Sequence, residues 1–195
     1  MSTIDVRLAR PEDAVEVATV YAAYVENTTS ALDLAPPTIE QIAGRICVCG
    51  TTLPFLVALV DEKVVGYAYA FRRFEEQSFD WSVFISTYAT IAGKGISRAL
   101  LEALEETLRA MSIMNIYSIA VHNEKTQFFH LARGFTEAGR LREAIHKQGR
   151  WRDLAYYQKS LALHEDNPAP VKPVGELDAA TLEQIFTRAK RAIRL

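Results

Sequence analysis

The sequence predicts a mixed α+β domain, with a mostly antiparallel central sheet flanked by helices and an extra helix at the C-terminal end. Strand-like and helix-like hydrophobic patterns follow one another in the order βααβββαβαββ, which is typical of such a layered domain. A hydrophobic fraction of 49% in 195 residues is ample for one buried core. We therefore expect one domain with an appendage.

The first third of the chain predicts one strand followed by two helices. Val6 and Leu8 alternate with polar neighbours as in a strand, and Pro11 then opens a helix whose first turn is acidic. Residues 26–30 break that helix. Residues 36–38, Pro-Pro-Thr, start a second one. Two helices are thus expected between the first two strands.

Six strands and two further helices are expected next. The second helix is predicted to fade near Gly44 or Cys49, and the turn residues 61–62 predict an antiparallel hairpin. The remaining elements are, in order, strands at 54–60, 63–71 and 79–88, a Leu-rich helix at 97–110, a strand at 116–121, a helix at 123–133 that stops at Gly134, and a closing hairpin of 140–145 with 153–161.

Composition divides the chain into three parts: a main domain at 1–163, a Pro-rich linker at 164–176 and an amphipathic helix at 177–195. A short isolated helix is marginal in water. The last helix should therefore pack either on its own domain or on a second subunit.

The charge and cysteine content exclude several classes of function. A formal net charge of −2 without a basic stripe makes nucleic acid an unexpected partner. No charged leader precedes an apolar segment, and the longest apolar stretch, residues 53–60, is too short to cross a bilayer. Cys47 and Cys49 are too close in sequence for a good disulfide and have no second metal-ligand pair. We expect a soluble cytoplasmic protein without a metal.

A glycine-containing loop lies between the strand at 79–88 and the Leu-rich helix. Its residues are Gly93, Lys94, Gly95, Ile96, Ser97 and Arg98. The glycines allow a ligand to approach the backbone closely, and unpaired N–H groups at a helix start favour an anion. The loop alone fits either a nucleotide-type pyrophosphate site or a simple chain reversal.

Motifs around this loop resemble those of the GNAT acetyltransferases, in the phosphinothricin acetyltransferase-like branch. They keep the order and nearly the spacing of that family from about residue 4 to 163: Pro36 with Pro37, 64–69, 96–101, Asn123, His130, 134–135, 139–143 and 149–151. Ala92, Gly95 and Ser97 fall on the defining positions of the family's acetyl-CoA loop, and only Gly95 matches. The resemblance implies a GNAT-type fold whose sheet is splayed at the ligand.

The resemblance also implies an acetyl-CoA-dependent N-acetyltransferase, commonly a homodimer, that acts on a small and possibly amino-acid-like amine by direct attack. In the family, strand backbone groups meet pantetheine and the acetyl carbonyl, the loop takes the pyrophosphate, and a side-chain amide on the following turn meets the pantetheine arm. The implied cofactor-binding residues are Ile85, Ser86, Thr87, Gly93, Lys94, Gly95, Ile96, Ser97, Arg98, Asn123 and Thr126.

His130 falls where the branch carries a histidine and related enzymes carry the tyrosine that protonates coenzyme A sulfur. Its ordinary pKa suits that role. A lone helical histidine is otherwise a surface or core residue, and His122 is a second candidate at a strand end.

The glutamate that the branch uses as general base is missing. Counting back from Ala92 puts Ser82 at its position, whereas alignment on Trp81 puts Phe84 there. Asp80 lies one strand repeat before Ser82 and could substitute directly or through water. Glu75, Glu76 or water alone are the remaining alternatives.

The acceptor site is expected to be lined by the segment between the first two helices and by the loop after residue 71. Its candidate residues are Tyr24, Thr29, Arg72 and Trp151, and an arginine there could clamp a carboxylate. Two alternative functions remain open. One is an acyl-CoA-binding or sensor protein with little catalysis, and the other is a dimeric scaffold without affinity for coenzyme A.

Overall fold

The computed structural model describes residues 2–91 and 93–194, and within them forms one seven-stranded sheet and five α-helices. The strands are β1 Ile4–Leu8, β2 Phe55–Val60, β3 Lys63–Phe71, β4 Ser82–Ala89, β5 Asn115–Val121, β6 Thr136–Lys147 and β7 Arg150–Ser160. The helices are α1 Ala14–Asn27, α2 Ile39–Thr52, α3 Ile96–Ala110, α4 Glu124–Leu131 and α5 Ala179–Ala192. In this part of the chain, every helix is too short or too polar to traverse a lipid bilayer.

The sheet is open and has the order β1-β2-β3-β4-β5-β7-β6. Every neighbouring pair is antiparallel except β4 and β5, which are parallel. These two strands pair only between Ser82–Phe84 and Asn115–Tyr117, and they separate beyond Phe84. The prediction of a mostly antiparallel sheet is confirmed, and the expected splay lies between β4 and β5.

Both faces of the sheet are buried at β2, which explains the nearly continuous hydrophobic run of this strand. Leu56 and Ala58 point into the cluster formed with α3 and α5, whereas Phe55 and Val57 point into the cluster under α1 and α2. Alternate residues of a strand face opposite sides of its sheet. The central strands are therefore rigid supports for groups at their ends.

Two predicted boundaries were wrong for local reasons. The strand predicted at 79–88 begins only at Ser82, because Gln77–Phe79 forms a short 3-10 turn. The second helix passes Gly44 and continues to Thr52, since Ile42, Ile46 and Cys49 keep one face buried. Its start is fixed by Thr38, whose hydroxyl accepts the Gln41 N–H at 3.2 Å.

The C-terminal helix packs on its own domain. α5 lies against α3 and β1, and Ile185, Ala189 and Ile193 are buried in the main hydrophobic cluster. An ion pair of 2.6 Å joins Lys190 to Asp5 of β1. The Pro-rich segment before α5 is fixed as well, because the Trp81 indole N–H donates to the Ala169 carbonyl at 2.8 Å.

The end of α5 also contacts the glycine-containing loop. The Arg194 N–H donates to the Lys94 carbonyl at 3.0 Å. A Cβ atom on Gly95 would lie 3.0 Å from the Ala192 carbonyl oxygen, whereas one on Gly93 would meet nothing within 4 Å. The space beside Gly95 is therefore filled by the C-terminal segment, whereas the other glycine of this loop, Gly93, has open space beside it.

Gly95→Ala is expected to destabilise the protein more than Gly93→Ala. Both glycines have positive φ, +80° and +77°, so alanine costs about 1–2 kcal/mol at either position. Only at Gly95 must the Ala192 carbonyl also move. Urea unfolding of the two variants measures the difference. Equal losses of unfolding free energy would contradict the close contact.

Candidate active site

A narrow channel opens where β4 and β5 separate. Its volume is about 270 Å³, and it runs between the start of α3, α4 and the two parted strands. The predicted cofactor residues that line it are Ile85, Ser86, Thr87, Ser97 and Thr126. The structure thus brings the strand residues and the first helical turn of the prediction to one cavity.

The loop beside this channel presents backbone donors. Among the described residues, the N–H groups of Ser97 and Arg98 have no protein acceptor, and the first helical bond is the Ala99 N–H to the Gly95 carbonyl at 2.8 Å. Such N–H groups at a helix start favour an anion. The Arg98 guanidinium already pairs with Glu102 at 2.7 Å. Ala92, the first defining position of the loop, lies outside the described residues.

Asn123 has a structural role that the sequence did not predict. Its side-chain oxygen accepts the Thr126 N–H at 3.0 Å, and its amide donates to the Val121 carbonyl at 3.3 Å. This is a capping box at the start of α4. The cap leaves one amide N–H of Asn123 for the expected contact with a pantetheine arm, but Asn123 does not line the channel.

His130 lies at the base of the channel and is 6% exposed. Its Nδ1 is 2.6 Å from the Thr126 carbonyl, so Nδ1 carries a proton and donates it. Nε2 is 2.9 Å from the Ser118 hydroxyl and is therefore the acceptor of the neutral ring. The ring stacks on Tyr157 with centroids 4.0 Å apart. His130 is thus held rigidly, with Ser118 on β5 as its polar neighbour.

The His130 ring is neutral near pH 7. Burial lowers the pKa of His130 below its ordinary value; the hydrogen bond to the Thr126 carbonyl opposes this, and the charge of Arg133 adds to it. This corrects the expectation from its ordinary pKa. A neutral ring must gain a proton at Nε2 before it can donate one.

Acidification is expected to destabilise the protein through His130. Its pKa is lower in the folded than in the unfolded chain, so the unfolded chain binds the proton first as the pH falls below about 6.5. The free energy of unfolding should decrease from there down to the folded-state pKa, by at most about 1.4 kcal/mol per pH unit. Above pH 6.5 both states are neutral and the contribution is constant.

Urea unfolding of the wild type and His130→Asn at several pH values between about 7.5 and 5.5 measures this slope. The exposed His164→Asn is the matched control. The free energy of unfolding of His130→Asn should vary less with pH than that of the wild type, whereas the His164→Asn control should keep the wild-type pH dependence. Parallel curves for all three proteins would contradict a depressed His130 pKa.

A second and larger cavity, of about 860 Å³, lies under α1 and α2 on the opposite face of the sheet. It shares with the channel five lining residues, namely Ser30, Ile85, Ser86, Tyr88 and Ile119. The two cavities therefore meet at the point where β4 leaves β5.

The predicted acceptor residues lie in different places. Tyr24 lines the first channel, and its hydroxyl donates to the Ala89 carbonyl at 2.7 Å. Arg72 lines the second cavity, but its guanidinium donates to the Phe79 carbonyl at 3.2 Å. Thr29 lines neither cavity, and Trp151 is 62% exposed on the β6–β7 hairpin beside His146. Of the four, only Tyr24 and Arg72 are brought to the site.

The predicted base residues are also outside both cavities. Asp80 is half exposed and pairs with Arg72 at 3.6 Å. The Ser82 hydroxyl lies 3.4 Å from the Asn115 amide, at the paired end of β4. Neither residue, nor Glu75 or Glu76, lines the channel or the second cavity. Asp80 and the two glutamates lie before β4, next to or ahead of the 3-10 turn at 77–79, whereas Ser82 lies in β4 at the end that pairs with β5.

Several site residues were missed by the sequence analysis. Ser118, Lys125, Tyr21, Tyr69, Asp33 and Arg45 all line the cavities. The alternation of Tyr67 and Tyr69 on β3 was the one available signal for an aromatic wall. Burial raises the pKa of Tyr21, Tyr69 and Tyr88, so these hydroxyls stay neutral.

A sheet that opens between two parallel strands, beside a helix start with unpaired N–H groups, is the arrangement that the resemblance to the GNAT acetyltransferases implies. Comparison with known proteins agrees. Residues 6–155 match the family model of the Acetyltransferase (GNAT) domain. The chain belongs to the GNAT acetyltransferase family.

Three similar proteins extend this result. The phosphinothricin N-acetyltransferase of Alcaligenes faecalis is 30% identical, over 80% of this chain and 82% of the relative. That of Streptomyces viridochromogenes is 27% identical, over 89% of this chain and 96% of the relative. The crystal structure of a GNAT superfamily phosphinothricin acetyltransferase from Sinorhizobium meliloti in complex with acetyl-CoA is 26% identical, with a TM-score of 0.78 over 88% of this chain and 98% of that chain.

The predictions of family, fold, enzyme class and cofactor are thereby confirmed: the chain is an acetyltransferase of the GNAT fold, and its cofactor is acetyl-CoA. The residues of this chain fit that cofactor. The N–H groups of Ser97 and Arg98 suit the pyrophosphate, and the narrow channel along Ile85 suits the pantetheine arm.

Proposed function

We propose that this chain transfers the acetyl group of acetyl-CoA to the amine of a small, amino-acid-like acceptor by direct attack. The supporting observation is the junction of the two cavities at Ser86 and Tyr88. One cavity leads to the loop at 93–98, and the other is wide enough for a separate small molecule. An acceptor and a thioester can therefore meet without a covalent enzyme intermediate.

The charges of the wide cavity support an acceptor that carries a carboxylate. Arg45, Arg72 and Arg73 all line it. Guanidinium groups bind carboxylates through two parallel hydrogen bonds. The relatives named phosphinothricin N-acetyltransferase also support an amino-acid-like acceptor.

When bound, acetyl-CoA supplies the acetyl group as a thioester. The residues expected to hold it are Ile85, Ser86, Thr87, Gly93, Lys94, Ile96, Ser97, Arg98 and Thr126, with Gly95 shaping the loop and Asn123 capping α4. Ser118 and His130 form a proton relay on this side. Because His130 starts neutral, a proton lost by the acceptor nitrogen would reach Nε2 through the Ser118 hydroxyl and be held there for the departing thiolate.

Thiol release with a panel of acceptors tests the proposal. The full chain is incubated with acetyl-CoA and with amino acids, with amines that lack a carboxylate, or with hydroxy acids. Thiol release and an acetylated product are expected for amino acids above the other two classes. Acetyl-CoA binding by calorimetry without thiol release for any amine would favour the acyl-CoA-binding or sensor alternative.

The cytoplasmic location and the homodimer expected from sequence belong to the same proposal. Its oligomeric part is tested by light scattering of the full chain, for which twice the monomer mass of 21.8 kDa is expected. A monomeric mass across the accessible concentration range would remove the dimer.

A further inference from the structure

Asp33 is the one acidic side chain that lines either cavity among the described residues. It lies in the segment between α1 and α2, which has no regular secondary structure. The same wide cavity contains Ser86 and Tyr88, which mark the junction with the channel. Asp33 therefore faces the space in which an acceptor would meet the thioester.

The carboxylate of Asp33 is held in place by α1. The Tyr21 hydroxyl donates to Oδ2 at 2.6 Å, while Oδ1 has no hydrogen-bond partner among the described residues. Burial raises the pKa of Tyr21, so its hydroxyl stays a donor at neutral pH. One oxygen of the carboxylate is thus fixed, and the other is available to a ligand.

The backbone of this segment is held by a buried ammonium group. Lys147, at the end of β6, is 5% exposed, and its Nζ donates to the carbonyls of Ala31 at 2.8 Å and Asp33 at 2.9 Å. Burial lowers the pKa of Lys147, and the charge of Asp33 opposes this. The Lys147 ammonium group, on the β6–β7 hairpin, therefore fixes the backbone position of Asp33 through these two charge-assisted hydrogen bonds.

We propose that Asp33 binds the ammonium group of the acceptor and removes its proton, with Tyr21 and Lys147 as positioning residues. This inference rests on the proposed function. Asp33 would take the role of general base, for which the strand glutamate of the family is missing here, from the segment between α1 and α2.

The protons balance in this assignment. Of the three protons on the ammonium nitrogen, one passes to a carboxylate oxygen of Asp33 and then to solvent. The lone pair so freed forms the C–N bond as the C–S bond breaks. A second proton ends on the sulfur, which leaves with the electron pair of the broken bond, and the third stays in the amide.

The titratable groups around Asp33 come from five elements. They are Tyr21 on α1, Arg45 on α2, Tyr69 on β3, Tyr88 on β4 and Lys147 on β6. The tyrosines are kept neutral by burial, so Asp33 is the sole negative charge of the cavity lining against several cations. An amino acid could place its ammonium at Asp33 and its carboxylate toward the arginines.

The test is Asp33→Asn, which keeps an oxygen to accept the Tyr21 hydroxyl but carries no charge. With the best amine of the panel, kcat/KM is expected to fall at least about 100-fold, whereas the affinity for acetyl-CoA by calorimetry stays unchanged. The loss should shrink as the pH rises toward the amine's own pKa, because less amine then needs deprotonation. The exposed Asp166→Asn is the matched charge control, and its rate should equal that of the wild type.

Tyr21→Phe tests the positioning role. Without the hydroxyl, Oδ2 of Asp33 loses its fixed donor, so kcat/KM should fall in the wild-type background but hardly further in the Asp33→Asn background. A purely structural role of Tyr21 would give the same loss in both backgrounds, and would overturn the positioning role.

Wild-type rates in Asp33→Asn would overturn the inference, as would a rate loss confined to Asp80→Asn. A loss of acetyl-CoA affinity equal to the loss of rate would also overturn it, because Asp33 would then support the fold and not the acceptor. Failure of the proposed function is a separate outcome. In that case the wild-type chain itself releases no thiol with any amine.

Discussion

His130→Ala is expected to lower turnover about 100-fold or more and to leave the affinity for acetyl-CoA nearly unchanged. The Nε2 atom of His130 bonds to Ser118, so the substitution removes the proton relay without changing the loop at 93–98. Steady-state thiol release gives kcat, and calorimetry gives the affinity for acetyl-CoA.

Ser118→Ala distinguishes loss of the proton relay from loss of packing. This control is needed because His130 is buried against Tyr157 and its removal leaves a cavity. Ser118→Ala should lower turnover in the same direction with little loss of stability. Since the two residues act as one relay, the double variant should be little slower than the slower single one. Normal turnover in both single variants would remove the relay.

Removal of residues 164–195 is expected to prevent stable folding of the remaining chain. The deletion takes away Ile185, Ala189 and Ile193, which are buried against α3 and β1. Each fully buried large aliphatic side chain contributes about 1.5–3 kcal/mol, and a typical domain is stable by only about 5–15 kcal/mol. Chemical denaturation followed by circular dichroism should show a strongly lowered or absent cooperative transition.

Single substitutions on α5 provide the matched comparison. Ile185→Ala should cost about 2–5 kcal/mol, whereas the exposed Gln184→Ala should change the stability by less than about 0.5 kcal/mol. A truncated chain with the midpoint of the full chain would contradict this expectation. We therefore propose that residues 1–163 and 164–195 differ in sequence pattern but fold together as one unit.

Local patterns predicted those parts of the fold that local forces determine. The β-rich run at 63–71 after the turn residues 61–62 predicted β3, and the helical spacing of Leu100, Leu104 and Leu108 predicted α3. The helix at the C-terminal end was predicted for the same reason. The surface on which this helix packs was not predicted, because an amphipathic pattern indicates that one face is buried but does not identify the element that covers it.

The candidate site divides in the same way. The motif around His130 predicted its position, but its neutral state depends on burial by the folded chain around the ring. Asp33 had no signal at all, since it is one acid in an irregular segment and is brought to the cavity by a lysine 114 residues away. Asp80 lies outside both cavities because it follows the 3-10 turn and precedes β4, and Ser82 lies outside them because it is at the end of β4 that still pairs with β5.

The two carbonyls bound by Lys147 limit how the acceptor preference of this enzyme can be redesigned. An exchange of residues 28–35 with a homologue would graft new side chains into the wide cavity but keep the original hairpin beneath them. A chimaera of this kind needs residues 28–35 and the β6–β7 hairpin from the same parent. Acceptor selectivity in this scaffold therefore depends on two segments that are distant in sequence.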